Sequence, residues 1–111
     1  MQYLLLIYEN EKRFEQGYDP SELKEYRAMG QEFAKLIQTG KALQSTRAAT
    51  TVRLRDGKRL TTDGPFAETK EQLGGFYLID APDRDTALAM AAKIPAARHG
   101  CIEVRPIMTF E

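Results

Sequence analysis

Tyr3 to Tyr8 and Phe76 to Ile79 are apolar at odd and even positions alike: Tyr3, Leu5 and Ile7 alternate with Leu4, Leu6 and Tyr8, and Phe76 and Leu78 with Tyr77 and Ile79. Side chains of a strand point alternately to the two faces of its sheet, so a strand apolar on both parities is a central strand covered on both sides. At 111 residues the chain has room for one core and one domain, 1–111, with no linker dividing it. Few elements are left to supply that cover.

After the first strand, Met1 to Tyr8, a polar loop runs from Glu9 to Tyr18. Asp19-Pro20-Ser21-Glu22 then offers a helix N-cap, a proline at the first helical position and a glutamate at the capping-box position. Leu23, Tyr26, Gly30, Phe33, Ala34 and Ile37 follow a three-and-four spacing, which predicts a helix with one buried face, ended by Gly40 as its C-terminal cap. A short second strand is expected around Ala42 to Thr46. It enters a hairpin whose tip, Asp56-Gly57, is a strong two-residue turn signal. Pairing outward from the tip sets Arg55 against Lys58, Leu54 against Arg59 and Val52 against Thr61, a ribbon without a continuous apolar face that reads as a solvated extension of the sheet.

The strand Leu73 to Asp80 contains Gly74-Gly75, where two residues without Cβ predict a bulge or a close backbone approach. Asp83 caps a helix from about Arg84 to Ile94, with Ala87, Leu88, Ala91 and Ile94 on one face, and Pro95 stops it. The last strand, Cys101 to Met108, alternates: Ile102 and Val104 are apolar, while Cys101, Glu103 and Arg105 share the other parity. The order of elements is that of an α+β, ferredoxin-like βαββαβ domain with an inserted β-hairpin, both helices lying on one face of an antiparallel sheet. The opposite face then needs a second subunit, so a homodimer packed sheet to sheet is expected.

Lys+Arg and Asp+Glu number 16 each, so the net charge is zero and no basic stripe offers a surface for direct nucleic-acid binding. The single cysteine, Cys101, suits a reducing compartment and a packing role. One His and one Cys cannot supply the usual metal ligands, and no cofactor or metal is expected. The N-terminal apolar run is too short for a signal peptide or a membrane span, so the reading is a cytoplasmic protein with no membrane partner.

Between hairpin and second central strand stands DGPFAETKEQLGGFYLIDA, beginning at Asp63, and the final strand is introduced by IPAARHGCIEVRPI, beginning at Ile94. With these strings the chain resembles, over essentially its whole length, the YCII-related proteins of the DGPF type. The resemblance implies a dimeric α/β barrel, and relatives are often associated with extracytoplasmic-function sigma factors. Shorter YCII proteins carry a His on the first helix, paired with an Asp, as a proposed catalytic dyad. Met29 stands at or near that place here, so the dyad does not transfer.

Acid–base chemistry would need the chain's own pair, and Asp63 with His99 is the candidate, His99 as general base and Asp63 orienting it. Both also have structural readings, Asp63 as a turn former and His99 as a loop residue. His99 shares odd parity with Cys101, Glu103 and Arg105, which places all four in the layer between sheets if the strand is regular from there. Arg105 suits a carboxylate ligand through paired hydrogen bonds. Glu103, Glu68, Lys70 and Tyr77 complete the ligand-binding candidates, Glu68 and Lys70 as a lid or as a solvated charge run. Two functions are expected: a homodimeric domain that binds an unidentified, anionic small molecule with lyase- or isomerase-like acid/base activity, or a regulatory or interaction module associated with a sigma factor.

Overall fold

The computed structural model describes residues 1–110. In chain order they form β1 (Gln2–Glu9), α1 (Pro20–Glu32), β2 (Ile37–Ala42), β3 (Thr50–Arg55), β4 (Lys58–Asp63), β5 (Gln72–Asp80), α2 (Arg84–Lys93) and β6 (Cys101–Pro106), with single 3-10 turns at Glu11–Phe14, Thr46–Ala48 and Pro95–Arg98. β1 lies between β5 and β6, and β2 pairs with the far side of β5, so the antiparallel sheet runs β2-β5-β1-β6. The architecture is mixed α+β.

Both helices pack on the face that carries Tyr3, Leu5 and Ile7. These join Ile79, Met29, Ala87, Met90, Ala91 and Ile94 in one buried cluster, with Ile102 and Val104 packed against it. Leu5, Ile79 and Met90 are fully enclosed, and each contributes about 2 kcal/mol of apolar burial. Met90, which the helical spacing passes over, takes the buried place expected of Leu88, and Leu88 is exposed. The alternate set, Leu4 opposite Leu78 and Leu6 opposite Phe76, shares the other face with Glu103 and Arg105 and is only half-buried.

The first helix is shorter than its spacing predicts. It ends at Phe33, and Ile37 begins a strand five positions earlier than expected, with Gly40 inside it. Thr39 and Gly40 are weak helix formers, while a ladder to β5 pairs Ile37 with Ile79, Gly40 with Tyr77 and Ala42 with Gly75. Gly40 is therefore no helix cap: a Cβ there would meet the Tyr77 ring at 2.6 Å. Gly74-Gly75 does what its composition predicts. The register with β1 steps from Gly75 to Leu73, leaving Gly74 as the bulge, and a Cβ on Gly75 would meet the Lys41 carbonyl oxygen at 2.8 Å.

The hairpin has the predicted register, Arg55 to Lys58, Leu54 to Arg59 and Val52 to Thr61, around a turn in which Asp56 (φ 52°) and Gly57 (φ 75°) are both left-handed. It is not an extension of the main sheet. β3 and β4 form a two-stranded sheet of their own, and the radius of gyration, 16.0 Å, exceeds the roughly 13 Å expected of a compact chain this long. The ribbon projects because its Val52, Leu54 and Leu60 alternate with charges and leave neither face apolar enough to dock.

Candidate functional site

The loop after β1 builds the site. Asn10 accepts a hydrogen bond from the Lys12 N–H at 3.0 Å and opens the 3-10 turn Glu11–Phe14; Gly17, at φ 98°, turns the chain toward Asp19, which caps α1 by accepting from Ser21 N–H at 2.9 Å. Arg13 is thereby laid between the end of β1 and the first turn of α1. Its guanidinium donates to Glu9 Oε1 and, at 2.8 Å, to Glu22 Oε2. Glu9 continues the buried parity of Tyr3, Leu5 and Ile7 one step beyond the expected strand. Glu9 and Glu22 are the two buried charged residues among those described. Glu22 is turned to Arg13 rather than back to the cap, so the expected capping box is not formed, and its Oε1 is buried without a hydrogen-bond partner among the described residues.

Two carboxylates facing one guanidinium leave the cluster one negative charge in excess. Burial pushes the Glu9 carboxyl above its ordinary value of 4.5, with Arg13 pulling it down and the Glu22 charge adding to the rise. Burial acts to lower Arg13, but the hydrogen bond and charge of Glu22 and the charge of Glu9 outweigh it and hold the guanidinium above its usual value. One turn on from Glu22, Tyr26 is driven far up by burial and then by the Glu9 charge, and Tyr77 is raised by burial. Both phenols stay protonated at neutral pH and are donors.

Glu9 and Glu22, the two carboxylates that Arg13 bridges, line a cavity of about 430 Å³ between the N-terminal half of α1 and the edge of the sheet; Arg13 itself does not line it. Phe14, Tyr18, Tyr26 and Tyr77 wall it, and Gly40, Ala42 and Gly75 leave its floor low. A second cavity, about 490 Å³, adjoins it on the far side of Phe14 and Tyr18, whose rings stand 4.7 Å apart and line both spaces, as does Glu9.

Of the residues singled out in the sequence, Tyr77 lines the first cavity and Lys70 the second. Asp63, His99, Glu68, Glu103 and Arg105 line neither. Asp63 is exposed at the end of β4 opposite Thr50, where Gly64 (φ 104°) makes the turn and its N–H donates to the Ala49 carbonyl at 2.7 Å. His99 closes the turn Pro95–Arg98 in helical backbone (φ −117°, ψ −20°), so the strand alternation starts at Cys101 and does not reach it. It is exposed, and it makes no hydrogen bond or ion pair with Asp63 among the described residues. Glu103 and Arg105 lie beside Leu6 and Leu4 on the open sheet face, both exposed. Cys101 shares that face opposite Tyr8 and is exposed, not packed. Met29 is buried in the core.

Glu9, Arg13 and Glu22 are the residues that sequence reading passes over. One signal was present: extending the Tyr3, Leu5, Ile7 parity by a step puts a carboxylate in the core layer, where it needs a cation. Nothing local names Arg13 as that cation.

The YCII-related domain model matches residues 1–111. An uncharacterized protein of Rhizobium meliloti (strain 1021) is 36% identical over 118 aligned residues, which span 100% of this chain and 95% of that protein. Among solved structures, 5-chloro-2-hydroxyhydroquinone dehydrochlorinase from Burkholderia phenoliruptrix AC1100, in complex with 2,5-dihydroxybenzoquinone, superposes with a TM-score of 0.52 at 14% identity, covering 97% of this chain and 94% of that one. At that identity the likeness is one of fold. The match along the full length of the chain, together with a relative more than a third identical throughout, establishes that this protein belongs to the YCII-related domain family.

Proposed function

We propose that this YCII-related domain binds a small molecule in the aromatic cavity under α1, with Glu9, Arg13 and Glu22 as its acid–base centre. The observation that carries this reading is the burial of a charged cluster, one carboxylate oxygen unpaired, at the wall of a cavity of ligand size. Lyase- or isomerase-like chemistry needs a base that takes a proton from a carbon next to a carbonyl and a donor for the oxygen that becomes negative. Glu9, raised by burial, is the base, and Tyr26 and Tyr77 are the donors. The dehydrochlorinase of similar fold, solved with a dihydroxybenzoquinone, supports a ring-sized ligand.

Solvent-deuterium exchange at the carbon acids of small cyclic ketones and hydroxylated quinones, followed by NMR, tests the chemistry. The protein should catalyse exchange in compounds that raise its melting temperature, and Glu9→Gln should slow that exchange about 100-fold. Binding without exchange in any such compound would leave a binding site and no base.

The reading includes a ferredoxin-like dimeric α/β barrel, supported by the open face that Leu4, Leu6, Phe76 and Leu78 share. In such an assembly Glu103 and Arg105 would enter the layer between sheets, where Arg105 could hold an anionic ligand, and Asp63 and His99 would act as a pair only if a second copy joined them. Sedimentation at micromolar concentration should show a dimer that Leu6→Lys dissociates; a monomer under those conditions rules the barrel out. A sigma-factor-associated module is the second reading, favoured by the hairpin, which forms a sheet of its own apart from the main one.

A further inference from the structure

We infer that the ligand is amphipathic, its flat apolar body seated among the rings of the first cavity and an anionic oxygen group held in the second by Lys12, Arg47 and Lys70. This rests on the reading of the first cavity as the binding site and adds a second, polar half to it. Phe14 and Tyr18 line both spaces, so one molecule lying along this pair of tilted rings reaches from one into the other.

The sign of the ligand's polar end follows from which charges in the second cavity are already engaged. Glu9 is bonded to Arg13. Glu11 accepts from the Thr46 N–H at 3.0 Å and from the Thr46 hydroxyl, which ties the loop before β3 to the loop after β1. Gln72 Oε1 accepts from the Glu11 N–H at 3.1 Å and its amide nitrogen donates to the Thr69 carbonyl. Lys12, Arg47 and Lys70 form no ion pair among the described residues. Glu15 is the one lining carboxylate left without a hydrogen bond among them. Glu11 keeps its charge, but its oxygens are occupied by Thr46, so the lining offers three cations with unused donors against one carboxylate with unused acceptors, and a guanidinium and two ammonium groups lining one cavity suit a carboxylate or a phosphate. The three come from three segments, the loop after β1, the turn before β3 and the loop before β5, which the bonds of Glu11 and Gln72 hold together.

Three probes with one aromatic body separate the two halves: phenylbutyrate, the neutral phenylbutanol and phenylpropyl phosphate, with affinities measured by calorimetry. At least one anion should bind tenfold or more tightly than the alcohol, and the one that does identifies carboxylate or phosphate as the preferred group. That ratio should fall to threefold or less in the double variant Arg47→Ala/Lys70→Ala. Both side chains are exposed, so the variant should keep its melting temperature. Raised salt should narrow the ratio in the unaltered protein. Alcohol and anions binding equally would overturn the anionic half and leave the first cavity standing. An anion preference that survives the double variant would also overturn it. No binding by any of the three at millimolar concentration would remove the cavity reading itself.

Discussion

Gly100→Ala should destabilise the fold by about 3 kcal/mol or more, measured by urea unfolding. A Cβ at Gly100 would stand 2.0 Å from the Tyr8 carbonyl oxygen and 2.9 Å from Glu9 Cα. Those are backbone atoms of β1, which is paired to β5 on one side and β6 on the other and has nowhere to retreat. The same displacement moves Glu9, so ligand binding should be lost with the stability. Gly30→Ala is the internal contrast. Its Cβ meets nothing within 4 Å in α1, and the change should stabilise by about 0.5–1 kcal/mol through helix propensity. Equal unfolding midpoints for the two variants would show that the approach of Gly100 to β1 is not tight.

Arg13→Ala should cost about 3 kcal/mol at pH 7, the lower end for breaking a buried ion cluster because a quarter of the Arg13 side chain is exposed. It leaves two buried carboxylates facing each other. The deficit should depend on pH, with the following sign. The Glu9 carboxyl lies above its ordinary 4.5 in the folded state, so the folded protein binds its proton more readily than the unfolded chain does. Its contribution to stability is therefore fully present below pH 4.5 and is lost as pH rises through the folded value. Without Arg13 the carboxyl rises further, since the charge and hydrogen bond that hold it down are gone, and more stability is lost by pH 7. The gap between variant and parent should thus narrow between pH 7 and pH 4, and adding Glu9→Gln should recover much of it at pH 7. A deficit that stays constant with pH would mean that Arg13 acts by packing alone.

Much of the fold was legible because its signals are local. Apolar runs on both parities mark β1 and β5 as central, Asp19 and Asp83 cap their helices through their own side chains, and Asp56-Gly57 sets the hairpin register, all within a few residues of chain. The error at Ile37 to Ala42 has the opposite origin. Read alone, that segment continues the helical spacing of Leu23, Tyr26 and Phe33, and only the edge of β5, nearly forty residues away in sequence, turns it into a strand.

The site was legible in its ingredients and not in its assembly. Tyr77 and Lys70 could be named from their sequence setting, and the structure carries them to two adjoining cavities. Asp63 and His99 were paired by chemical type, yet a turn of helical backbone at His99 breaks the alternation that would have aimed it. The sequence by itself determined the two central strands, the N-caps Asp19 and Asp83, the hairpin turn and the family, because these depend on side-chain periodicity, on backbone preferences a few residues long and on short sequence strings. Only the tertiary structure decided that Arg13 reaches both Glu9 and Glu22, that Gly40 and Gly100 are pressed against Tyr77 and Tyr8, and that aromatic rings line one open cavity. A buried charge cluster and a cavity depend on how separate elements meet, and that is set by the packing of the whole sheet against its helices.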